Sequence, residues 1–191
     1  TIYVENPETA GQIFNGNLTY NKAGWTVHML RGVMGDSLFF TTLQSYANND
    51  SLAYASATTG DFQSVCEDVS NLDLNDFFQQ WIYGEYYPKY SLSWEISDQQ
   101  ELIVTIDQNQ TWQYFQMPID LEIIFPYGTS MLRVDNHGEH QEYNLGTVDT
   151  PPYSISLDPH NWILKEVEYL SLKEPIIIII GLLILLLLQF R

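Results

Sequence analysis

The spacing of hydrophobic residues changes near the middle of the chain. Up to Gly84, apolar residues recur every three or four positions, as in helices that bury one side. From Tyr90 onward, apolar and polar residues alternate, as in strands that bury one face. The end of the chain, Ile176 to Leu188, carries no charged or polar side chain. The pattern predicts three parts: a helical region over residues 1–89, an all-β region over residues 90–170 and a hydrophobic tail over residues 171–191.

Four helices are predicted in the first part, separated by residues that cap or end helices. The predicted bounds are Thr19–Met34, a helix from Asp36 or Ser37 to about Tyr46, Asp61–Val69 with Thr58 or Thr59 as N-cap, and Asp73 or Asn75 to Gly84. Residues 1–17 and 47–57 are predicted loops. The apolar sides of the first two helices are predicted to contain Trp25, Val27, Leu30, Val33 and Met34, and then Leu38, Phe39, Phe40, Leu43 and Tyr46.

Six short strands are predicted in the second part, with turn-forming residues between them. They are Ser91–Ile96, Leu102–Ile106, Tyr114–Met117, Ile119–Ile124, Met131–Val134 and Tyr153–Leu157. Six or more short strands at this spacing are typical of a β-sandwich. The predicted fold class is therefore α+β in two parts, a helical region followed by an all-β sandwich and a hydrophobic tail.

The charge of the chain restricts its partners. There are 24 acidic and 7 basic residues, and the formal net charge is −17. Such a surface repels phosphate backbones, so nucleic acid is not expected as a partner. An acidic surface is typical of a protein kept soluble in a salty or extracellular setting, and the alternative is a face that attracts cationic substrates.

No complete catalytic set is present in the sequence. The His-Glu-x-x-His motif, the phosphate-binding glycine loop and the Gly-x-Ser-x-Gly elbow are all absent. His137 and His140 flank Gly138 and are expected in an exposed turn, because paired metal ligands need a rigid backbone and further ligands. His28 is expected to pack on a helix surface, and the lone Cys66 is expected to be a buried thiol.

A series of motifs runs through the helical part in a fixed order. It comprises Tyr20-Asn21-Lys22-Ala23-Gly24, Met29-Leu30, Gly35-Asp36, Thr58-Thr59-Gly60-Asp61-Phe62, Phe77-Phe78-Gln79-Gln80-Trp81 and Tyr87-Pro88. The order and spacing resemble the stretch after the zinc site in aminopeptidase N-type metallopeptidases of the gluzincin clan, over about residues 10–165. That family has Gly-Ala where this chain has Ala23-Gly24.

This resemblance implies the C-terminal half of a gluzincin catalytic domain followed by a β-sandwich. It implies peptide substrates from which N-terminal residues are removed, with zinc as the cofactor. Tyr20 matches the tyrosine whose hydroxyl donates to the tetrahedral oxyanion opposite the zinc. The family's zinc ligands and general-base glutamate lie upstream of the matched stretch, so none is assigned here. Phe77, Phe78 and Trp81 are expected in the core, and Lys22 is given no catalytic role.

A second reading remains open, a non-catalytic β-sandwich binding module tethered at a membrane. Its tether would be the tail, although Ile176–Leu188 would extend only about 20 Å as a helix, against a bilayer core of about 30 Å. Lys173 and Arg191 could reach the interfaces. A buried element, a sorting signal resembling those cleaved by bacterial exosortase-type systems, and a truncated end are the alternatives for the tail. The expected location is membrane-associated or extracytoplasmic.

Overall fold

The computed structural model describes residues 1–170 as a helical part followed by two β-sheets. The helices are α1 (Ala10–Ile13), α2 (Ala23–Met34), α3 (Asp36–Ala47), α4 (Thr59–Ser70) and α5 (Asn75–Phe78). π-Helical turns over Gly16–Lys22 lead directly into α2, and π-helical turns over Gln79–Tyr83 extend α5. The strands are β1 (Lys89–Ile96), β2 (Glu101–Gln108), β3 (Met117–Phe125), β4 (Gly128–Asn136), β5 (His140–Thr147), β6 (Ser154–Leu157) and β7 (Glu166–Tyr169).

The helix ends follow from local chemistry, as predicted. Thr58 caps α4, because its hydroxyl accepts from the amide of Asp61 at 3.2 Å and the Asp61 carboxylate accepts from the amide of Thr58 at 2.7 Å. Gly35 separates α2 from α3 with a φ of 76°, a conformation that glycine adopts without steric cost. The predicted α3 and α4 are therefore confirmed.

The predicted apolar sides of α2 and α3 are partly wrong. Trp25 and Val27 are 37% and 45% exposed, and the buried side of α2 is centred on Met29 and Leu30. A helix turns by about 100° per residue, so positions 25 and 27 fall on either side of that centre. On α3, Phe39 is buried, whereas three other predicted apolar positions, Leu38, Phe40 and Leu43, are exposed. The predicted loop over residues 1–17 contains the short helix α1 and the first π-helical turn.

The strands form two sheets that share one core. One sheet has the order β5-β2-β1-β7 and the other β4-β3-β6; the β1–β7 pair is parallel and the other pairs are antiparallel. Alternate residues of the two central strands are buried in a single hydrophobic cluster, including Leu102, Val104, Ile106, Ile119, Leu121 and Ile123. Period-2 burial on both sheets is the arrangement of a β-sandwich. The α+β fold class is confirmed for the described residues.

Three strand predictions need correction. Of the predicted strand Tyr114–Met117, only Met117 belongs to a strand, because Phe115 leaves the sheet to pack on Trp81 of the helical part. The strands β5 and β7 were not predicted. The alternate positions 141, 143 and 145 of β5 are only half-buried, and one of them is the polar Gln141. The alternation of apolar and polar residues in β5 is therefore weak.

The helical part is held against the sandwich through the connection between β2 and β3. The rings of Trp81 and Phe115 lie 4.6 Å apart. The Gln113 amide nitrogen donates to the carbonyls of Gln80 at 3.3 Å and Glu85 at 3.0 Å. The change from helix to strand falls between Tyr83 and Lys89. The division into domains over residues 1–89 and 90–170 stays a prediction, since both parts contribute to one hydrophobic cluster.

The predicted tail, residues 171–191, lies outside the described residues, so its membrane contact stays a prediction. In the part of the chain that the structure does describe, no helix combines the length and the apolar character needed to cross a bilayer.

Candidate functional site

Tyr20 lies within the π-helical turns that precede α2, and its side chain is 58% exposed. It was expected at or just before a helix start, but the helical turns already begin at Gly16. The amide of Ala23 donates to the carbonyl of Leu18, five residues back, which is the π-helical pattern. Such turns are rare and are frequent at functional sites.

The start of these turns is fixed by Asn15. Its side-chain oxygen accepts hydrogen bonds from the amides of Asn17 and Leu18, each at 3.0 Å. Capping of this kind satisfies amides that have no partner within the helix. The backbone that carries Tyr20 is therefore held from its first turn.

The surface around Tyr20 is open. A Cβ atom added at Gly16 or Gly24, each four residues from Tyr20, would meet nothing within 4 Å. Val27, seven residues beyond Tyr20 and on the same helix side, is 45% exposed. Within residues 1–170 the Tyr20 hydroxyl has no hydrogen-bond partner, so it can donate to a group arriving from outside.

Lys22 anchors the same turns on their inner side. The residue is only 7% exposed, and its ammonium donates to the carbonyl of Gly84 at 3.1 Å. Burial lowers the pKa of Lys22, and the negative charge of Glu85 partly opposes this effect. The bond ties the turns that carry Tyr20 to the end of the helical part.

Gly84 is itself held tightly in place. A Cβ atom added there would lie 2.5 Å from the carbonyl oxygen of Gln80 and 2.5 Å from the amide nitrogen of Gln113. Gly84 therefore lies between the π-helical extension of α5 and the β2–β3 connection, and the acceptor of Lys22 has little room to move.

Sequence reasoning gave Lys22 no role, and its burial is the main feature that was missed. A signal was present in the spacing, since Lys22 precedes Thr26 and Met29 by four and seven positions. Both of those residues are buried, so Lys22 shares the inner side of the helix.

The two histidines near Gly138 are engaged by other side chains. His140 begins β5 instead of lying in the predicted turn, and its Nδ1 is 2.6 Å from the Asp107 carboxylate. This hydrogen bond raises the pKa of His140. The backbone amide of His137 donates to the side-chain oxygen of Gln141 at 2.6 Å.

Zinc does not fit the described residues. Over residues 1–170, no three His, Cys, Asp or Glu side chains come close enough together to hold a metal ion.

The remaining predicted residues lie as expected. His28 stacks on Trp162 with ring centroids 4.6 Å apart. Cys66 is fully buried, and this burial raises the pKa of its thiol to about 12, so it is an unreactive core residue. Phe77, Phe78 and Trp81 are all in the core.

Comparison with known proteins supports the resemblance seen in the motifs. Residues 1–81 match the Peptidase family M1 domain. The chain is also similar in structure to Legionella pneumophila aminopeptidase A, crystallised in complex with aspartic acid, with a TM-score of 0.71 and 18% sequence identity. That match covers 87% of this chain and 19% of the Legionella chain, so this chain spans about a fifth of its length. No curated protein matches the chain. The structural likeness shows the fold, and the family match covers the helical part of the chain as far as Trp81.

Proposed function

Because residues 1–81 match the Peptidase family M1 domain, we propose that this chain is the C-terminal part of an aminopeptidase that removes N-terminal residues from peptides. The observation that carries the proposal is the position of Tyr20. It lies inside the matched region, on anchored turns, with an exposed hydroxyl that has no partner among residues 1–170.

The role proposed for Tyr20 is hydrogen-bond donation to the oxyanion that forms when a peptide carbonyl is attacked. A phenol hydroxyl is a donor that needs no proton transfer to act. A donor held in place before the reaction stabilises charge that develops only in the transition state, and one such donor contributes about 3–4 kcal/mol.

The structure supports this role through rigidity on one side of the helix and space on the other. Lys22 and Asn15 hold the backbone on either side of Tyr20. Gly16 and Gly24 leave open the side from which a substrate would approach. A donor whose backbone is fixed loses little entropy when the charge develops, which is the condition for preorganised stabilisation.

The metal and the general base would have to come from outside this chain. Zinc is the metal of the resembled family, where it polarises the peptide carbonyl and activates water. The described residues contain no ligand set for it, so this chain is assigned the oxyanion donor and part of the substrate surface.

The proposal is tested by comparing two proteins in a reporter assay. One is this chain alone, and the other is the polypeptide that also includes the sequence encoded immediately upstream. We expect the longer polypeptide to contain a His-Glu-x-x-His motif and to release the amine from an aminoacyl reporter substrate, whereas this chain alone should be inactive. A longer polypeptide without the motif and without activity would contradict the proposal and favour a non-catalytic binding module.

We further propose that residues 171–191 contact a membrane and that the bulk of the protein lies outside the cytoplasm. The support is the uncharged run Ile176–Leu188. The test is fractionation of cells that make the chain with and without residues 175–191. The full chain should stay in the membrane fraction after carbonate washing and the shortened one should be soluble. Equal solubility of both forms would contradict an anchor.

A further inference from the structure

Lys22 differs from every other lysine and arginine in the described part of the chain. The other four, Arg31, Lys89, Arg133 and Lys165, each lie within 3 Å of a carboxylate oxygen, at 2.8, 2.9, 2.6 and 2.5 Å respectively. Lys22 has no carboxylate within ion-pairing distance among residues 1–170. The chain has 24 acidic residues, so the missing ion pair reflects the surroundings of Lys22 and not a shortage of carboxylates.

The Lys22 ammonium is also incompletely hydrogen-bonded. The Lys22 residue is 7% exposed, and the one acceptor of its ammonium within the described residues is the Gly84 carbonyl at 3.1 Å. An ammonium carries three donors, so two remain without a protein partner there. A buried charge of this kind is costly unless something compensates it. The nearest negative charge that influences Lys22 is on Glu85, whose side chain is exposed.

Lys22 lines a cavity of about 500 Å³. Its volume is within the range of pockets that hold small organic ligands. The apolar part of its wall comprises Leu18, Trp25, Tyr86, Tyr87 and Leu164. Tyr20 is not part of the wall, since the lining positions 17, 18, 21, 22 and 25 share the other side of the helix. The cavity is therefore separate from the surface around Tyr20.

The rim of the cavity contains a strained residue. Tyr86 has a φ of 64°, which is unfavourable for a bulky side chain and is seldom kept without a reason. Such outliers occur preferentially at ligand sites. The Tyr86 ring packs on Trp112 at 4.8 Å, and this contact helps to hold the strained backbone.

We propose that this cavity binds a small organic monocarboxylate, with the Lys22 ammonium as its counter-charge and Trp25 and Leu164 against its apolar body. A carboxylate would accept the two donors that Lys22 has left and would neutralise its charge. The other charges in the lining, the Thr1 amino group and Glu85, are of opposite sign, so Lys22 supplies the net positive charge and a single negative charge on the ligand is favoured. The apolar walls favour an aliphatic or aromatic body over a bare inorganic anion.

The test uses the full chain and the probe 3-phenylpropionate, with the indole N–H signal of Trp25 in an NMR titration as the readout. The expected Kd is on the order of 1–10 mM, the range for a ligand of this size. The neutral analogue 3-phenylpropionamide has the same shape and should bind at least about tenfold more weakly, because it brings no charge to Lys22. This comparison requires no mutation and so does not depend on a variant that folds.

Two variants and one modification assign the effect to Lys22. Lys22→Met removes the charge at similar length and should weaken binding at least about tenfold. Lys89→Met, at a surface lysine paired with Glu166, should leave the Kd unchanged. Acetylation of the Thr1 amino group, a second cation that lines the cavity near Lys22, should weaken binding less than Lys22→Met does.

Four results would each overturn the assignment: no saturable shift of Trp25, equal binding of the amide, an unchanged Kd in Lys22→Met, or a loss of binding on acetylation of Thr1 at least as large as that in Lys22→Met. None of these measurements involves peptide hydrolysis. The inference can therefore fail while the proposed aminopeptidase function holds, and the reverse is also true.

Discussion

Lys22 in the helical part and Lys165 in the sandwich both have little exposed surface, 7% for the Lys22 residue and 7% for the Lys165 side chain, but they lie in different surroundings. Lys165 lies 2.5 Å from the Asp158 carboxylate, which is itself almost fully buried. Asp158 also accepts from the amides of Trp162 at 2.8 Å and Ile163 at 2.9 Å. Both charges of the Asp158–Lys165 pair therefore have a partner of opposite charge, whereas the Lys22 ammonium contacts one backbone carbonyl within residues 1–170.

The difference separates a charge whose hydrogen bonds are all made within the protein from one that has donors left for a ligand. A buried ion pair with all its hydrogen bonds made specifies the shape of a turn and leaves nothing for another molecule. A buried cation with donors to spare keeps its full attraction for an anion. The two residues for which we propose a role, Tyr20 and Lys22, both lie in the helical part.

The largest effect is expected from breaking the Asp158–Lys165 pair. Asp158→Ala should lower the free energy of unfolding by about 3–5 kcal/mol, because it leaves the Lys165 charge buried without a partner and two amides unsatisfied. Urea denaturation measures the loss. Asp36→Asn, at the exposed pair with Arg31, is the control and should barely shift the midpoint. A loss below about 1 kcal/mol for Asp158→Ala would mean that this turn is not a structural anchor.

Gly84→Ala should have the next largest effect. Its Cβ would lie 2.5 Å from both the Gln80 carbonyl oxygen and the Gln113 amide nitrogen, so the backbone that accepts from Lys22 must shift. We expect a cost of about 1–3 kcal/mol in thermal or urea unfolding. Gly24→Ala is a matched change in open space within α2 and should instead stabilise by about 0.5–1 kcal/mol. Equal effects of the two changes would show that Gly84 is not tightly packed.

Lys22→Met should change stability little, in contrast to Asp158→Ala. It removes a buried charge that has no carboxylate partner among residues 1–170, so the free energy of unfolding should stay within about 1 kcal/mol of wild type or rise. Because burial lowers the pKa of Lys22, wild-type stability should gain from this group as the pH rises from that lowered pKa toward about 10.4, the pKa of an unfolded lysine. The difference in stability between wild type and Lys22→Met should therefore shrink or reverse over that range. A loss comparable to that of Asp158→Ala would identify Lys22 as structural.

His140 should give the smallest effect, and one that depends on pH. Its hydrogen bond to Asp107 raises its pKa, so the bond contributes stability below about pH 6.5, and this contribution is lost as the pH rises through the raised pKa. NMR titration of the ring should show a midpoint above about 6.5. His140→Gln should remove this pH-dependent contribution to the free energy of unfolding. A midpoint at or below the ordinary value would contradict the ion pair.

Sequence patterns predicted the elements whose cause is local. The Thr58–Asp61 pair starts α4, and Gly35 separates α2 from α3, because caps and left-handed residues act on their neighbours alone. The core positions Phe77, Phe78 and Trp81 were predicted from their spacing along one helix, which is also a local property of the sequence.

Features that depend on distant contacts were missed. Phe115 reads as part of a strand but leaves it for the ring of Trp81, and β5 is a strand because β2 pairs with it, not because its own residues alternate clearly. Lys22 was given no catalytic role, and its hydrogen bond could not be predicted because the Gly84 carbonyl that accepts it is 62 positions away. The hydrogen bond between Lys22 and Gly84 therefore becomes visible only when the packing of the two chain segments is known.

The most direct test of the proposed function is the kinetics of Tyr20→Phe in the complete aminopeptidase that the proposal requires. The change removes one hydroxyl from an exposed ring, so kcat should fall by about two to three orders of magnitude with little change in KM, because the bond forms mainly in the transition state. Tyr127→Phe, at an exposed tyrosine in the β3–β4 turn of the sandwich, is the control and should leave both constants unchanged. A Tyr20→Phe enzyme with near-normal kcat would contradict the assignment of Tyr20 as the oxyanion donor.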